Sequence, residues 1–257
     1  MKKILIISAS QQKKGAGAKA IEMFVTKFDI NKYSMEVITL SDYKIDYCKG
    51  CTACFKTKEC ILKDDVKSII EKMKSSDGII FVTPIYAMNI SGLFKTFIDR
   101  TSYMLHKPAL FEKHSYIIMT SDLGGFKAIS MYLRYMMNAF GINNTGYFGV
   151  MSKKIKNNED YQKKLSATMD AAATKFKDAL STGKNYNPKF TQVLRFNLWK
   201  NKAIISKDFY PGDYKHWEEN DWLDKEYYYP IKMNIAKRLF LKIILRKIKK
   251  KILNSIL

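Results

Sequence analysis

Lys3-Ile4-Leu5-Ile6-Ile7-Ser8 runs directly into Ala9-Ser10-Gln11-Gln12-Lys13-Lys14-Gly15-Ala16-Gly17-Ala18. Successive apolar residues without alternation read as a strand covered on both faces, as in the interior of a parallel sheet. The polar, glycine-bearing stretch leaves that strand and leads into a helix predicted over 17–28, with Ala20, Ile21, Phe24 and Val25 on one side. The same alternation continues downstream. Strands are predicted at 35–40, 78–83, 116–120 and about 146–151, and helices over 92–105, 126–140 and 159–181. Another helix follows Asp64-Asp65, whose acidic side chains suit a helix start, with Val66, Ile69, Ile70 and Met73 as its stripe. Strands and helices alternating at this spacing imply right-handed crossovers. The expected fold is α/β, a doubly wound five-stranded parallel sheet of order 2-1-3-4-5, with ligands bound at the carboxyl ends of the strands.

Three loops follow successive strands at that edge. The first carries the hydroxyls of Ser8 and Ser10, the amide of Gln12, and Gly15, Gly17 and Ala18 at a helix start. Free N–H groups and the helix dipole favour a phosphate there. The second is Thr83-Pro84-Ile85-Tyr86-Ala87-Met88-Asn89-Ile90-Ser91-Gly92. Pro84 is expected to break the strand and Tyr86 to offer an aromatic plane, while Pro84 through Asn89 mix stacking with hydrogen bonding, as a planar, partly polar ring requires. The third, Thr120-Ser121-Asp122-Leu123-Gly124-Gly125, offers Ser121, Asp122, Gly124 and Gly125 to a flat ligand. Each loop alone also reads as an ordinary turn; their coincidence on one edge is the specific signal. No second Gly-x-Gly-x-x-Gly loop is present for an adenylate.

The 257 residues carry a net charge of +21 and are 47% hydrophobic, enough for a buried core. So basic a balance suits phosphate-rich partners. Only Arg100, Arg134, Arg195, Arg238 and Arg246 are arginines, and no nucleic-acid reader motif is found, so nucleic acid is not the expected partner. No apolar run is long enough to span a membrane and no signal peptide is read, so a cytoplasmic protein is expected. All the cysteines fall in Cys48-x2-Cys51-x2-Cys54-x5-Cys60. Thiols this close in a reducing compartment point to metal rather than to a disulfide framework.

Over roughly residues 1–180 the chain resembles the NAD(P)H-dependent FMN reductases and iron–sulfur flavoproteins of the flavodoxin superfamily. The resemblance rests on Ala9-Ser10-Gln11-Gln12 with Gly15-Ala16-Gly17, and on Thr83-Pro84-Ile85-Tyr86 with Ser91-Gly92 and Phe97-Ile98-Asp99-Arg100. The four-cysteine stretch is similar to the compact motif that holds a 4Fe–4S cluster, since four thiolates from one short loop close around a cube. Structural zinc and a cysteine set without a cluster are the other readings. The resemblance implies a flavodoxin-like fold and an oxidoreductase that takes electrons from NAD(P)H and passes them to an unidentified acceptor. It also implies a homo-oligomer. No side chain is read as catalytic, because the flavin carries the chemistry. Asp99-Arg100 reads as a helix-end salt bridge. The alternatives are an electron carrier without its own substrate, and a membrane or nucleic-acid adaptor.

Residues 1–182 are thus expected to form the FMN-binding domain and 183–230 an aromatic-rich, irregular extension. Residues 231–257 are expected to form a basic amphipathic helix. In that helix Leu241, Ile244, Leu245, Ile248 and Ile252 make one stripe, opposite Arg238, Lys242, Arg246 and Lys249. The stripe reads either as an interfacial face for an anionic membrane or as packing on the protein's own domain or a partner subunit. His106, His114 and His216 sit in no ligand spacing.

Overall fold

The apolar runs assemble into one sheet. The structure is a computed structural model that describes residues 1–57, 59–183 and 186–256, with 249–256 as backbone only. Its strands are β1 (Lys2–Ser8), β2 (Tyr33–Thr39), β3 (Gly78–Tyr86), β4 (Asn89–Ile90), β5 (His114–Ser121) and β6 (Asn143–Met151). The five long strands are parallel, in the order β2-β1-β3-β5-β6, which is the expected doubly wound order. The sheet is six-stranded rather than five-stranded. The addition is β4, a two-residue strand folded back antiparallel on the end of β3.

Uninterrupted apolar runs mark these strands because both faces of the sheet are covered. Leu5 and Ile7 of β1, Ile79 and Phe81 of β3, and Ile117 and Met119 of β5 enter one layer. They pack there under α3 (Val66–Ser75), α4 (Gly92–Arg100) and α5 (Phe126–Ala139). The alternate residues Ile4, Ile6, Ile80, Val82, Tyr116 and Ile118 enter the opposite layer, under α1 (Ala16–Val25) and α7 (Glu159–Thr182). Each such side chain contributes about 1.5–3 kcal/mol on burial. The helix α7 shows the pattern from its own sequence. Asn158 caps it by accepting from the Tyr161 N–H at 2.7 Å, and Leu165, Met169, Ala172, Phe176 and Leu180 form its buried stripe.

Pro84 does not end its strand; β3 runs on to Tyr86. The Val82 carbonyl accepts from the Ala9 N–H, so Pro84 faces the same side, where β1 has already ended at Ser8. The N–H that proline lacks therefore has no ladder partner to lose.

The extension also departs from the sequence reading. It is helical, with α8 (Phe190–Ile205) and α9 (Pro211–Glu219), and has its own core of Val193, Phe196, Trp217, Trp222 and Tyr227. The terminal helix α10 (Ile235–Ile256) forms as expected. Its stripe, however, faces the protein: Leu241 is buried in the extension core, and Leu245 packs beside it. The side chains of Lys249 and Ile252 lie outside the described residues.

Candidate functional site

The carboxyl edge of the sheet carries a cleft of about 470 Å³. Three loops and the start of α6 (Ser152–Asn157) build its walls. Ser10, Gln12 and Gly17 come from the loop after β1, Pro84 through Met88 from the end of β3, and Ser121 and Asp122 from the end of β5. The loop after β1 is held by its own hydroxyls: Ser8 Oγ accepts from the Ser10 N–H at 3.4 Å, and Ser10 Oγ accepts from the Gln12 N–H at 3.3 Å. Gly15 sits at the N-cap of α1 and has no side chain to cap the first turn. That helix start keeps unsatisfied N–H groups and the positive end of its dipole for an anion.

The hairpin between β3 and β4 is a two-residue turn, with Tyr86 opposite Asn89. Ala87 and Met88 at its tip have φ of 47° and 60°. Hairpin geometry demands positive φ at both positions, usually met by Asn-Gly, so alanine and methionine store strain here. Ser91 caps α4 by accepting from the Phe94 N–H, and its own hydroxyl donates to the Ala9 carbonyl at 3.2 Å. One side chain thereby ties the first loop to the second.

Ser8 and Ala18 line an adjoining hollow on the β2 side of the first loop. Gly15, Asn89, Gly124 and Gly125 are not in the cleft wall. Gly124 and Gly125 have φ of +87° and +81° and form the turn into α5. Sequence reading missed Ala16, Thr120, Leu123, Ser152, Lys153, Lys156 and Asn157 in the wall. The signal for the last four was positional, since they follow β6 at the same edge. Lys153 and Lys156 add positive charge, and the Lys153 N–H donates to Asp122 Oδ1 at 3.0 Å.

The cysteine loop lies elsewhere. No cysteine is among the described residues of the cleft, and Cys60 lies beside Arg100, about 13 Å of helix along from the start of α4. All four thiols are unbridged, with Cys48 and Cys51 exposed and Cys54, in the short α2 (Ala53–Lys56), half-buried. Arg100 does not pair with Asp99, which instead binds Lys95 at 2.5 Å. Its guanidinium grips Asp64 and the Asp46 carbonyl, and its Nη2 donates to Cys60 Sγ at 3.6 Å. Burial pushes the Asp64 carboxyl up, but Arg100 and the N–H groups of Asp46 and Val66 outweigh it and hold the group below its ordinary range. Burial raises the Cys54 thiol, with the Lys107 charge opposing it.

The extension closes over this loop. Lys107 is buried, and its Nζ donates to the carbonyls of Cys54 and Thr57. His106 stacks on Phe55 with ring centres 4.2 Å apart and meets Asp213 Oδ2 through Nδ1 at 2.6 Å. Gly212 of α9 lies so close to the carbonyls of Lys56 and Thr57 that a Cβ there would collide with both. Neither His106 nor Asp213 was legible as part of this arrangement, because their partners are distant in sequence.

The donors suit an iron–sulfur cluster in kind. Cys51 and Cys60 each lie near enough to raise the Cys54 thiol, with cationic Arg100 at Cys60 and Lys107 at Cys54. Among the described residues, no three Cys, His, Asp or Glu side chains converge to hold a metal ion.

A doubly wound sheet with a phosphate-type loop and a strained hairpin at one edge defines a flavodoxin-like flavoprotein. Residues 2–155 match the family described as NADPH-dependent FMN reductase, and the chain belongs to that family of oxidoreductases. It is 28% identical over 221 residues to an iron-sulfur flavoprotein of Archaeoglobus fulgidus, covering 84% of this chain and 98% of that protein. To an iron-sulfur flavoprotein of Clostridioides difficile it is 30% identical over 226 residues, covering 84% and 97%. Among solved structures, RosB with a bound 8-demethyl-8-formylriboflavin-5'-phosphate intermediate superposes with a TM-score of 0.56 at 14% identity, over 91% of this chain and 92% of that one. That likeness is one of fold.

Proposed function

We propose that this chain is an FMN-dependent oxidoreductase that takes electrons from NADH or NADPH and passes them to an acceptor through a 4Fe–4S cluster on Cys48, Cys51, Cys54 and Cys60. The observation that carries the reading is the single cleft into which the loops after β1, β3 and β5 converge over the start of α1. Bound FMN supplies hydride acceptance and release of single electrons. Ser10, Gln12 and the first-turn N–H groups of α1 hold its phosphate. The Tyr86–Met88 turn and the Ser121-Asp122 segment flank its ring. Ser8, Gly15, Ala18, Asn89, Gly124 and Gly125 shape these loops from behind.

The cluster reading rests on the thiol set, its cationic neighbours and the names of the two relatives. Arg100 and Lys107 offset the negative charge of ligating thiolates. Cys54, whose thiol burial raises, would bind a cluster as the thiolate, with Lys107 beside it to offset the charge. Residues 1–182 act as the flavin-binding unit, and 183–230 cover the cysteine loop. A second copy of the chain belongs to the same reading, supported by Met88 and Leu123, which stand exposed in the cleft wall.

Protein purified without oxygen tests this by its absorbance spectrum, the identity of the chromophore released on denaturation, and its iron content. Mixing with NADH and with NADPH should bleach the flavin. Absence of flavin after addition of FMN would overturn the reading. Flavin without iron after reconstitution would leave a plain FMN reductase, and flavin that neither nucleotide reduces would indicate an electron carrier.

A further inference from the structure

The terminal helix α10 has two apolar faces, and only one is satisfied by the protein. On the inner side Leu241 is buried, Leu245 packs against the extension core, and Ile248 shares a hollow with Leu194, Leu198 and Trp199 of α8. On the outer side Ile235, Leu239 and Ile243, spaced i, i+4, i+8, are 75%, 56% and 51% exposed. Phe240 lies beside them, half covered by its stack on Phe190. A helix apolar on both sides normally has both sides covered.

The charges around the open face state what covers it. Residues 231–257 contain Lys232, Lys237, Arg238, Lys242, Arg246, Lys247, Lys249, Lys250 and Lys251 and no acidic residue. Arg238 is paired with Glu226 at 3.1 Å, while Lys237, Lys242, Arg246 and Lys247 stand exposed. With 100° between residues, Arg246 falls within the Ile235–Leu239–Ile243 face, Lys242 on one flank and Lys247 on the other. A second copy seated on this face would set cation against cation. A basic surface with isolated large aliphatic residues between long cationic side chains fits a bilayer interface. There the aliphatic groups enter the acyl boundary and the cations reach the headgroups.

We infer that the Ile235–Leu239–Ile243 face of α10 docks on an anionic membrane surface. The helix lies on the bilayer and does not cross it, since among the described residues no helix is long and apolar enough to span. This inference goes beyond the flavin reading and stands or falls separately from it.

The test is co-sedimentation of the full chain with vesicles of phosphatidylcholine alone or mixed with phosphatidylglycerol, at low and high salt, with flavin content measured in parallel. Binding is expected only to anionic vesicles and is lost in high salt. Lys242→Ala with Arg246→Ala should weaken it about twenty-five-fold, near fivefold per cation. Ile235→Ser, Leu239→Ser and Ile243→Ser together should weaken it at least about tenfold, with flavin content and thermal unfolding unchanged. No binding to anionic vesicles at low salt would overturn the inference. So would equal binding by the serine variant, or a concentration-dependent dimer that the serine variant dissociates. Binding of polyglutamate as tight as the vesicles, and insensitive to the serine substitutions, would show an acidic protein site instead.

Discussion

Arg100 and Asp64 form an ion pair in which each side chain is only 1% exposed. It joins the end of α4 to the residue two before α3 and delivers a guanidinium N–H to Cys60 Sγ. The cysteine loop is thus anchored from beneath by a charge pair that water does not reach.

Removing one partner leaves the other charged and buried without its counter-charge. Asp64→Ala is expected to cost about 3–5 kcal/mol in urea denaturation. Arg100 Nε is already without a hydrogen-bond partner, so the pair as it stands is not fully satisfied. Asp64→Leu combined with Arg100→Met should therefore recover most of the loss. A double variant no more stable than Asp64→Ala would show that packing at this site, not charge, sets the cost.

The hairpin tip yields a second expectation. Ala87 and Met88 occupy left-handed backbone that Asn-Gly adopts without strain. Ala87→Asn with Met88→Gly should raise stability by about 1–2 kcal/mol, since each strained position costs about 1 kcal/mol or more. If the strained conformation serves the flavin, affinity for FMN should fall in the same variant, because Met88 leaves the cleft wall. Calorimetric unfolding and FMN titration check the two halves.

What could be read in advance followed from local rules. Ile4–Ile7 and Ile79–Val82 announce themselves because a doubly covered strand has no polar face to interrupt it. The cleft was legible because loops after parallel strands emerge at one edge. Ser152, Lys153 and Lys156 escaped notice because the residues after β6 carry no glycine or aromatic signal. The helices of the extension were hidden by polar residues on their buried sides: Gln192 and Asn197 sit inside α8 and break its apolar period. Arg100 was matched to Asp99 because sequence offers only neighbours. Adjacent helical residues point in different directions, and the true partner comes from another element.

Acid sensitivity should begin well above the carboxylate range. Burial holds the imidazoles of His114 and His216 below their ordinary value of 6.5. His114 donates from Nε2 to the Gly183 carbonyl at 2.8 Å and accepts at Nδ1 from Asn143 at 3.0 Å, which requires the neutral ring. In the unfolded chain both histidines take up protons near pH 6.5, whereas in the folded chain they do so only at lower pH. Stability is therefore full above about 6.5 and falls as pH drops through the window down to the folded values. Asp64 and Asp77, both held below 3.8, begin to lose their contribution only near that lower value. The urea midpoint should fall between pH 7.5 and 5.5, and His114→Gln should flatten the slope. A midpoint constant over that range would contradict the neutral assignment.

The seat of α9 on the cysteine helix is set by a glycine. Lys107 gathers the carbonyls of Cys54 and Thr57, Asp213 lies 3.7 Å from its ammonium, and Trp217 Nε1 donates to the His106 carbonyl at 2.7 Å. Asp213 and Trp217 thus seat α9 on the Lys107 and His106 turn, and Gly212 is what lets it come this close to α2. Gly212→Val places a side chain against the carbonyls of Lys56 and Thr57, so the two helices must part, while the sheet and its cleft lie outside the contact. Cys54 is half-buried and its thiol is raised by that burial, so in metal-free protein it should alkylate more slowly than exposed Cys48. In the valine variant the Cys54 rate should rise about tenfold toward that of Cys48. Iron retained after anaerobic reconstitution should fall by at least half, and FMN content should not change. Peptide mapping of alkylated protein gives the first result and metal analysis the second. Unchanged alkylation together with unchanged iron would mean that the loop holds its shape without α9. Loss of FMN as well would mean that the extension supports the sheet rather than the cysteines.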